Sequence, residues 1–147
     1  FRFTDILAAI ALTQLNYVQE RIHRVTELYN RYSSLLKNFK NMQLLPVNVN
    51  AGEIPLYVEV LTPQREALHA WLAEKNIQTR PTYPSLHLAP QFGDAHNAVF
   101  PNSNIFAAQV LTLPCGPSQP SENIDYVFSA LQQWEDMVNS NGTTCYK

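Results

Sequence analysis

Hydrophobic residues in the first third of the chain follow a helical spacing. They recur every three or four positions between residues 15 and 39: Leu15, Val18, Ile22, Val25, Tyr29, Tyr32, Leu36 and Phe39. This spacing predicts one long helix that begins after Thr4, a residue suited to an N-cap. A helix of about 34 residues would be roughly 50 Å long, whereas the expected radius of gyration is only about 15 Å. We therefore expect the helix to bend or break, or to project one end onto a partner.

Four shorter segments have the alternation or composition of β-strands. Two of them are "MQLLPV", residues 42–47, and "LYVEVLT", residues 56–62, and a third is the end of "FAAQVLTLPC", residues 106–115. The fourth, "IQTRPTYP" at residues 77–84, is predicted to be an edge strand. Pro81 has no backbone N–H to donate, so it could not sit in a central strand.

Two further helices are predicted, one between the strands and one near the end of the chain. Thr62 is expected to cap the first, with Pro63 at its first position and Asn76 as a left-handed residue at its end. Pro120 is expected to open the second, and residues 84–104 should be irregular. The apolar stripe of the last helix consists of Ile124, Val127, Phe128, Leu131, Trp134 and Val138.

The order of these elements predicts an α+β fold. The long N-terminal helix and the shorter helices would pack on a small, mostly antiparallel sheet. We expect a single domain at residues 1–138 and a frayed tail at residues 139–147. No internal repeat and no long linker divides the 147 residues.

Composition and charge exclude several classes of function. The net charge is −2 and no basic stripe is visible, so nucleic-acid binding is not expected. No apolar run approaches the roughly 20 residues that span a bilayer. The cysteines Cys115 and Cys145 occur in unlike contexts, which indicates neither a disulfide framework nor a zinc site and favours a reducing cytoplasm.

The segment "IQTRPTYPSLHLAP", residues 77–90, concentrates hydrogen-bonding side chains between prolines. Arg80 offers a planar fork for phosphate or carboxylate, and Tyr83 and His87 offer aromatic faces with polar tips. A ligand-facing loop and a structural passage from strand to loop both explain this pattern. Both interpretations stay open at this point.

Other chemistry in this region has weaker support. His87, Asp94 and His96 match no standard metal-ligand spacing, so we expect no metal site. Ser85 near His87 lacks the glycine-rich surroundings of a nucleophile elbow and is expected to make a local turn hydrogen bond. The residue pattern therefore predicts no catalytic residue.

Three segments carry a family resemblance. They are "FRFTDILAAIALTQL", "TRPTYPSLHLAPQF" and "VLTLPCGPSQPSENIDYVFSAL", and together they run in one register from Phe1 to about Val138. In this order they resemble the C-terminal part of the DegT/DnrJ/EryC1/StrS aminotransferases. Members of that family are fold type I, pyridoxal-phosphate (PLP) enzymes that aminate keto sugars attached to nucleotides. The resemblance implies their small C-terminal domain, with the large PLP-binding domain before Phe1.

The resemblance also implies roles for three residues of the polar loop. Arg80, Tyr83 and His87 match the family loop that borders the sugar-nucleotide site, which implies that they bind substrate. This sequence departs from the family pattern at two positions of the same loop. Thr82 stands where the family usually has His, and Ala89 stands where it usually has Gln. Both replace a larger polar side chain with a smaller one, which implies altered substrate contacts.

The resemblance implies no cofactor site that this chain completes by itself. Arg2 matches the Arg of the family motif N-F-R, and a cofactor-binding role for it is implied only with a large domain present. The Schiff-base lysine belongs to that domain. The lysines here, Lys37, Lys40, Lys75 and Lys147, lie at helix ends or at the chain end, without the burial that activates a Schiff-base lysine. We expect neither bound PLP nor transaminase activity from this chain alone.

Three hypotheses follow for function. The first is a stand-alone, non-catalytic domain derived from a nucleotide-sugar aminotransferase, which forms a homodimer through the long N-terminal helix. The second is the C-terminal part of a PLP-dependent nucleotide-sugar aminotransferase, whose large domain is missing from this chain. The third is a module that binds a sugar nucleotide or a phosphate without chemistry.

Overall fold

The computed structural model describes residues 3–97 and 99–141. The helices are α1 (Asp5–Leu15), α2 (Val18–Leu36), α3 (Arg65–Glu74), α4 (Pro101–Gln109) and α5 (Ser121–Asn141), and the strands are β1 (Gln43–Leu44), β2 (Val58–Leu61), β3 (Arg80–Pro81) and β4 (Val110–Leu113). Stretches of 3₁₀ helix occur at Val49–Ala51, Leu86–Leu88 and Pro90–Asn97. The predicted α+β class is confirmed.

The strands form one antiparallel sheet in the order β1-β2-β4-β3. Strands β2 and β4 pair along their whole length, with Glu59 opposite Thr112. On the other side of β4, Arg80 also lies opposite Thr112. β3 is therefore an edge strand, as predicted from Pro81.

One face of the sheet carries the hydrophobic core. Side chains alternate between the two faces of a strand, and the side chains of β2 and β4 in the core cluster are Val58, Val60, Leu111 and Leu113. This set packs with Tyr32 and Leu36 of α2, Leu68 and Leu72 of α3, and Leu131 and Trp134 of α5. Glu59 and Thr112 belong to the opposite face and are only partly buried.

The predicted long helix is broken, and its first part projects from the core. α1 ends at Leu15 and α2 begins at Val18, with the N–H of Tyr17 donating to the carbonyl of Gln14 at 3.1 Å. No residue of α1 is buried, and its large apolar side chains are exposed: Ile6 (74%), Leu7, Ile10, Leu12 and Leu15. The apolar face of α2 enters the core only from Leu28 onward. The expected break is confirmed, and packing of the projecting end onto a partner stays a prediction.

Hydrogen bonds from α2 and the turn after it hold α5 in place. Arg31 pairs with Asp125, and the backbone N–H of Lys40 donates to Glu135 Oε1 at 2.7 Å. Glu135 is buried, and the same oxygen accepts from the side-chain amide of Asn41 at 3.1 Å. These bonds tie residues nearly one hundred positions apart into one core.

Three boundaries differ from prediction. α3 begins at Arg65 and not at Pro63, because the buried hydroxyl of Thr62 accepts from the N–H of Gln64 at 3.2 Å and forms a turn ahead of the helix. Residues 84–104 are not wholly irregular, since they contain 3₁₀ helix and the start of α4. α5 continues to Asn141, beyond the expected domain end at 138.

The end of α3 agrees with prediction, because Asn76 has a positive φ of 58°. That value lies in the left-handed region that Asn tolerates better than most residues. Residues 142–147 of the expected tail lie outside the described residues.

Candidate functional site

The polar loop is fastened to β4 and α4 as soon as it leaves the sheet. The hydroxyl of Thr82 donates to the carbonyl of Phe106 at 3.2 Å, and its backbone N–H donates to the carbonyl of Val110 at 3.3 Å. Ser85 is buried, and its Oγ donates to Asn104 Oδ1 at 3.1 Å. Both hydroxyls therefore serve the structure of the loop, and the bond of Ser85 is to α4 and not to its own turn as predicted.

The guanidinium of Arg80 contacts two tyrosine rings. Its guanidinium carbon is 5.5 Å from the centre of the Tyr57 ring and 5.6 Å from the centre of the Tyr83 ring. Both distances fall within the range of a cation–π contact, about 6 Å. Tyr83 is 77% exposed and Tyr57 is 51% exposed, so the stack stands at the surface. We call these three residues the Arg80 stack.

A cavity of about 460 Å³ opens beside the Arg80 stack. Its walls come from the loop, from the partly exposed face of the sheet and from α4, and they include Glu59, Thr112 and Ser103 in addition to the stack. Glu59, Thr112 and Arg80 are neighbours across three strands, so a carboxylate and a guanidinium flank one hydroxyl. The cavity thus contains both signs of charge, aromatic faces and hydroxyl groups.

A larger groove of about 900 Å³ runs from the Arg80 stack toward α2 and α5. Arg80, Tyr57 and Thr112 line both depressions. Cys115 lies in the groove, and burial raises the pKa of its thiol. A protonated thiol is a poor nucleophile, so Cys115 forms part of the wall of the groove and does not act as a nucleophile.

His87 does not join Arg80 and Tyr83 in this cavity. Its ring instead packs on Phe100, with 4.8 Å between ring centres, and it is absent from the cavity walls. The predicted substrate-binding cluster is therefore divided into the Arg80 stack and a separate His87–Phe100 pair. The substrate-binding role of Arg80, Tyr83 and His87 remains a prediction, and Arg2 lies outside the described residues.

Tyr57 is the member of the site that sequence reasoning missed. It belongs to "LYVEVLT", whose alternation predicts only a strand, and it precedes β2 by one residue. Arg80 follows 23 positions later in the sequence and reaches Tyr57 across β4. An aromatic residue at the start of a strand is usual, so its residue type alone carried no signal of this contact.

The lysines of the described residues do not fit a Schiff-base site for PLP. Lys37, at the end of α2, and Lys40, in the turn after it, are both exposed. Lys75 Nζ lies 4.2 Å from the centre of the Trp71 ring, in a cation–π contact that occupies it. A Schiff-base lysine needs a desolvated position facing the cofactor, and none of these three has one. Lys147 lies outside the described residues.

Metal chemistry finds no support within the same residues. Among residues 3–97 and 99–141, no three His, Cys, Asp or Glu side chains come together in a way that could hold a metal ion. The side chains of Asp94 and His96 are outside the described part of the chain. Across the described helices, none has the length and apolar character to span a membrane.

Comparisons with known proteins agree with this architecture. The sequence model of the DegT/DnrJ/EryC1/StrS aminotransferase family matches residues 1–132, which confirms the resemblance noted in the sequence. The chain is 28% identical over 138 residues to GDP-perosamine synthase from Escherichia coli O157:H7, covering 91% of this chain and 37% of that protein. It is also 28% identical to dTDP-3-amino-3,6-dideoxy-alpha-D-galactopyranose transaminase from Aneurinibacillus thermoaerophilus, covering 90% and 37%.

Solved structures give the same result. The crystal structure of S. venezuelae DesV in complex with a ketimine intermediate matches with a TM-score of 0.77 and 27% identity, over 88% of this chain and 36% of that one. The sugar aminotransferase CalS13 from Micromonospora echinospora matches with a TM-score of 0.79 at 18% identity, over 87% and 34%, which supports the fold alone. The chain therefore spans about 37% of the length of the curated relatives it matches.

Proposed function

Because this chain belongs to the DegT/DnrJ/EryC1/StrS aminotransferase family, we propose that it contributes the substrate-binding rim of a sugar aminotransferase. A lysine-bearing domain outside the chain would hold PLP. Two findings together carry this proposal. The cavity beside the Arg80 stack has polar and aromatic walls, whereas no described lysine occupies a site suited to a Schiff base. The described residues thus provide walls suited to a ligand and no lysine suited to form the covalent bond to PLP.

The exposed helix α1 supports the same proposal. Its apolar side chains are not confined to one stripe, and none of its residues is buried. A helix that is apolar on all sides is normally enclosed by protein, whereas a single partner helix would cover about one side of it. We therefore assign α1 to an interface with the lysine-bearing domain.

A second candidate function has one specific observation in its favour. Ala8, Ala9 and Ala11 give α1 small side chains that let a second helix approach closely, and Ile6 and Ile10 stand exposed beside them. The chain would then be a stand-alone, non-catalytic homodimer joined through α1, in a reducing cytoplasm. Such a dimer could still bind a sugar nucleotide at the Arg80 stack without chemistry.

The intact mass and the PLP content of the natural protein separate the two candidates. The protein is captured from its source with an antibody against this chain, reduced with borohydride and examined by mass spectrometry. The proposed function predicts either a polypeptide heavier than the 16.7 kDa of this chain or a complex with a second polypeptide. In both cases PLP would be fixed to a lysine outside the chain.

Two other results would overturn that proposal. A 16.7 kDa protein that carries no PLP and has twice that mass by light scattering would establish the stand-alone dimer. PLP fixed to Lys37, Lys40 or Lys75 would contradict both candidates, because it would place the Schiff base on a lysine of this chain.

A further inference from the structure

Arg80 differs from the other arginines of the described residues in what its side chain contacts. Arg24, Arg31 and Arg65 each form an ion pair with a carboxylate, and Arg21 donates to the side chain of Gln14. The guanidinium of Arg80 makes neither a hydrogen bond nor an ion pair with any residue in the described part of the chain. Its contacts are the two tyrosine rings.

Contacts with two rings restrict the motion of a guanidinium without using its hydrogen-bond donors. An exposed arginine normally loses considerable side-chain entropy when it binds a ligand. A contact with the face of an aromatic ring does not use the N–H donors of a guanidinium in hydrogen bonds. Among the described residues, the N–H donors of Arg80 are therefore unoccupied at the edge of the cavity.

Phosphate fits this fork better than a neutral ligand does. A guanidinium can donate two parallel hydrogen bonds to an anionic oxygen pair, and the neighbouring Thr112 adds a hydroxyl on the same face. Glu59 is the acidic group of that face and lies on the far side of Thr112. Two strand spacings, roughly 10 Å, separate Glu59 from Arg80. The repulsion between Glu59 and an anion bound at Arg80 should therefore lower the affinity for that anion only modestly.

We propose that Tyr57 is a positioning residue that holds the guanidinium of Arg80 for a phosphate group of a ligand in this cavity. Tyr83 supplies one ring from the loop, and Tyr57 supplies the other from the position just before β2. The identification of that ligand as a nucleotide sugar rests on the proposed function. The phosphate site itself rests only on the Arg80 stack.

The test is a titration of the isotope-labelled chain with inorganic pyrophosphate, followed by NMR of the arginine Nε–Hε groups. The Arg80 signal is assigned by its loss in Arg80→Lys. In the unaltered chain, pyrophosphate and UDP should both shift this signal, and uridine should not. Tyr57→Leu should weaken pyrophosphate binding about 2- to 5-fold, the value of one exposed cation–π contact. Tyr57→Phe should restore it, because the ring is kept.

Tyr17→Leu is the matched control, since Tyr17 is 50% exposed and lies at the junction of α1 and α2. If Tyr57→Leu leaves the affinity for pyrophosphate unchanged, or if Tyr17→Leu reduces it equally, the role of Tyr57 is overturned. Absence of any shift at Arg80 up to about 20 mM pyrophosphate would overturn the phosphate site. Tighter binding of glutamate than of pyrophosphate would overturn the choice of phosphate.

This titration is independent of the mass and PLP measurements on the natural protein. Pyrophosphate binding needs only the described cavity, so it can succeed where no lysine-bearing domain exists. Equally, a PLP enzyme of this family could be established while Arg80 fails to bind pyrophosphate. The two proposals can therefore fail separately.

Discussion

Replacement of Tyr32 with phenylalanine should change the alkaline stability of the protein in a defined way. The Tyr32 side chain is fully buried, its hydroxyl donates to the carbonyl of Pro114 at 2.8 Å, and its ring packs edge-on against Phe128. Tyr32→Phe keeps the ring contacts and leaves the carbonyl without this donor. At neutral pH the variant should lose about 1 kcal/mol in the free energy of unfolding.

The effect of pH follows from the ionisation of the same hydroxyl. Burial raises the pKa of Tyr32 in the folded protein far above its ordinary value of about 10. Since the folded pKa lies above the unfolded one, the contribution of Tyr32 is complete below pH 10. It is lost progressively as the pH rises above 10, where only the unfolded state ionises. At pH 11 this loss amounts to about 1.4 kcal/mol.

The lost hydrogen bond lowers the free energy of unfolding of Tyr32→Phe, whereas ionisation of Tyr32 at high pH lowers that of the unaltered protein. Tyr32→Phe should be less stable by about 1 kcal/mol at pH 7.5 and about as stable as the unaltered protein at pH 11. Urea unfolding followed by circular dichroism at both pH values measures this convergence. Tyr17→Phe is the control, because the half-exposed Tyr17 should give no difference at either pH. A constant difference between the unaltered protein and Tyr32→Phe across this range would refute the reasoning.

Three further predictions concern other parts of the molecule. Glu135→Ala should lower the free energy of unfolding by about 2–3 kcal/mol in urea, because the N–H of Lys40 and the side-chain amide of Asn41 lose the buried oxygen that accepts from both. Glu135→Gln should cost about 1 kcal/mol or less, since Oε2 has no partner among the described residues; equal losses would contradict this. Asn76→Ala should cost about 1 kcal/mol in the same assay, and Asn76→Gly close to nothing, because φ is positive there. Glu59→Gln should tighten pyrophosphate binding at Arg80 about 2-fold in the NMR titration, and weaker binding would contradict the arrangement on that face.

The elements of the fold that sequence could predict are those determined by local patterns. Alternation identified β2, the strand-like composition of "VLTLP" identified β4, Pro81 identified the edge strand, and Asn76 identified the end of α3. Each of these signals depends on residues next to one another, so no knowledge of distant contacts was needed. The class of the fold follows from their order.

The start of α3 shows where local signals mislead. Thr62 and Pro63 are favourable residues for the beginning of a helix, and yet the helix begins at Arg65. The hydroxyl of Thr62 is used in a buried turn with Gln64, which joins β2 to α3. Burial of Thr62 is a property of the folded core and cannot be read from its neighbours.

The candidate site was predictable only in part for the same reason. Arg80 and Tyr83 are three positions apart, so their proximity was implied by the sequence. Tyr57 is brought to Arg80 by the pairing of β2 and β3 with β4, and Phe100 draws His87 away from the cavity. Both contacts depend on strand order and loop path, which no local pattern reveals.

The bonds between α2 and α5 have a consequence for synthesis of the protein on the ribosome. The turn after α2 contains Lys40, whose acceptor Glu135 lies 95 residues later in the chain. At about 5–20 residues per second, the ribosome needs roughly 5–20 s to cover that distance. During this interval the apolar face of α2 has no α5 to cover it. The nascent chain should therefore engage a holding chaperone at α2 until the last helix emerges.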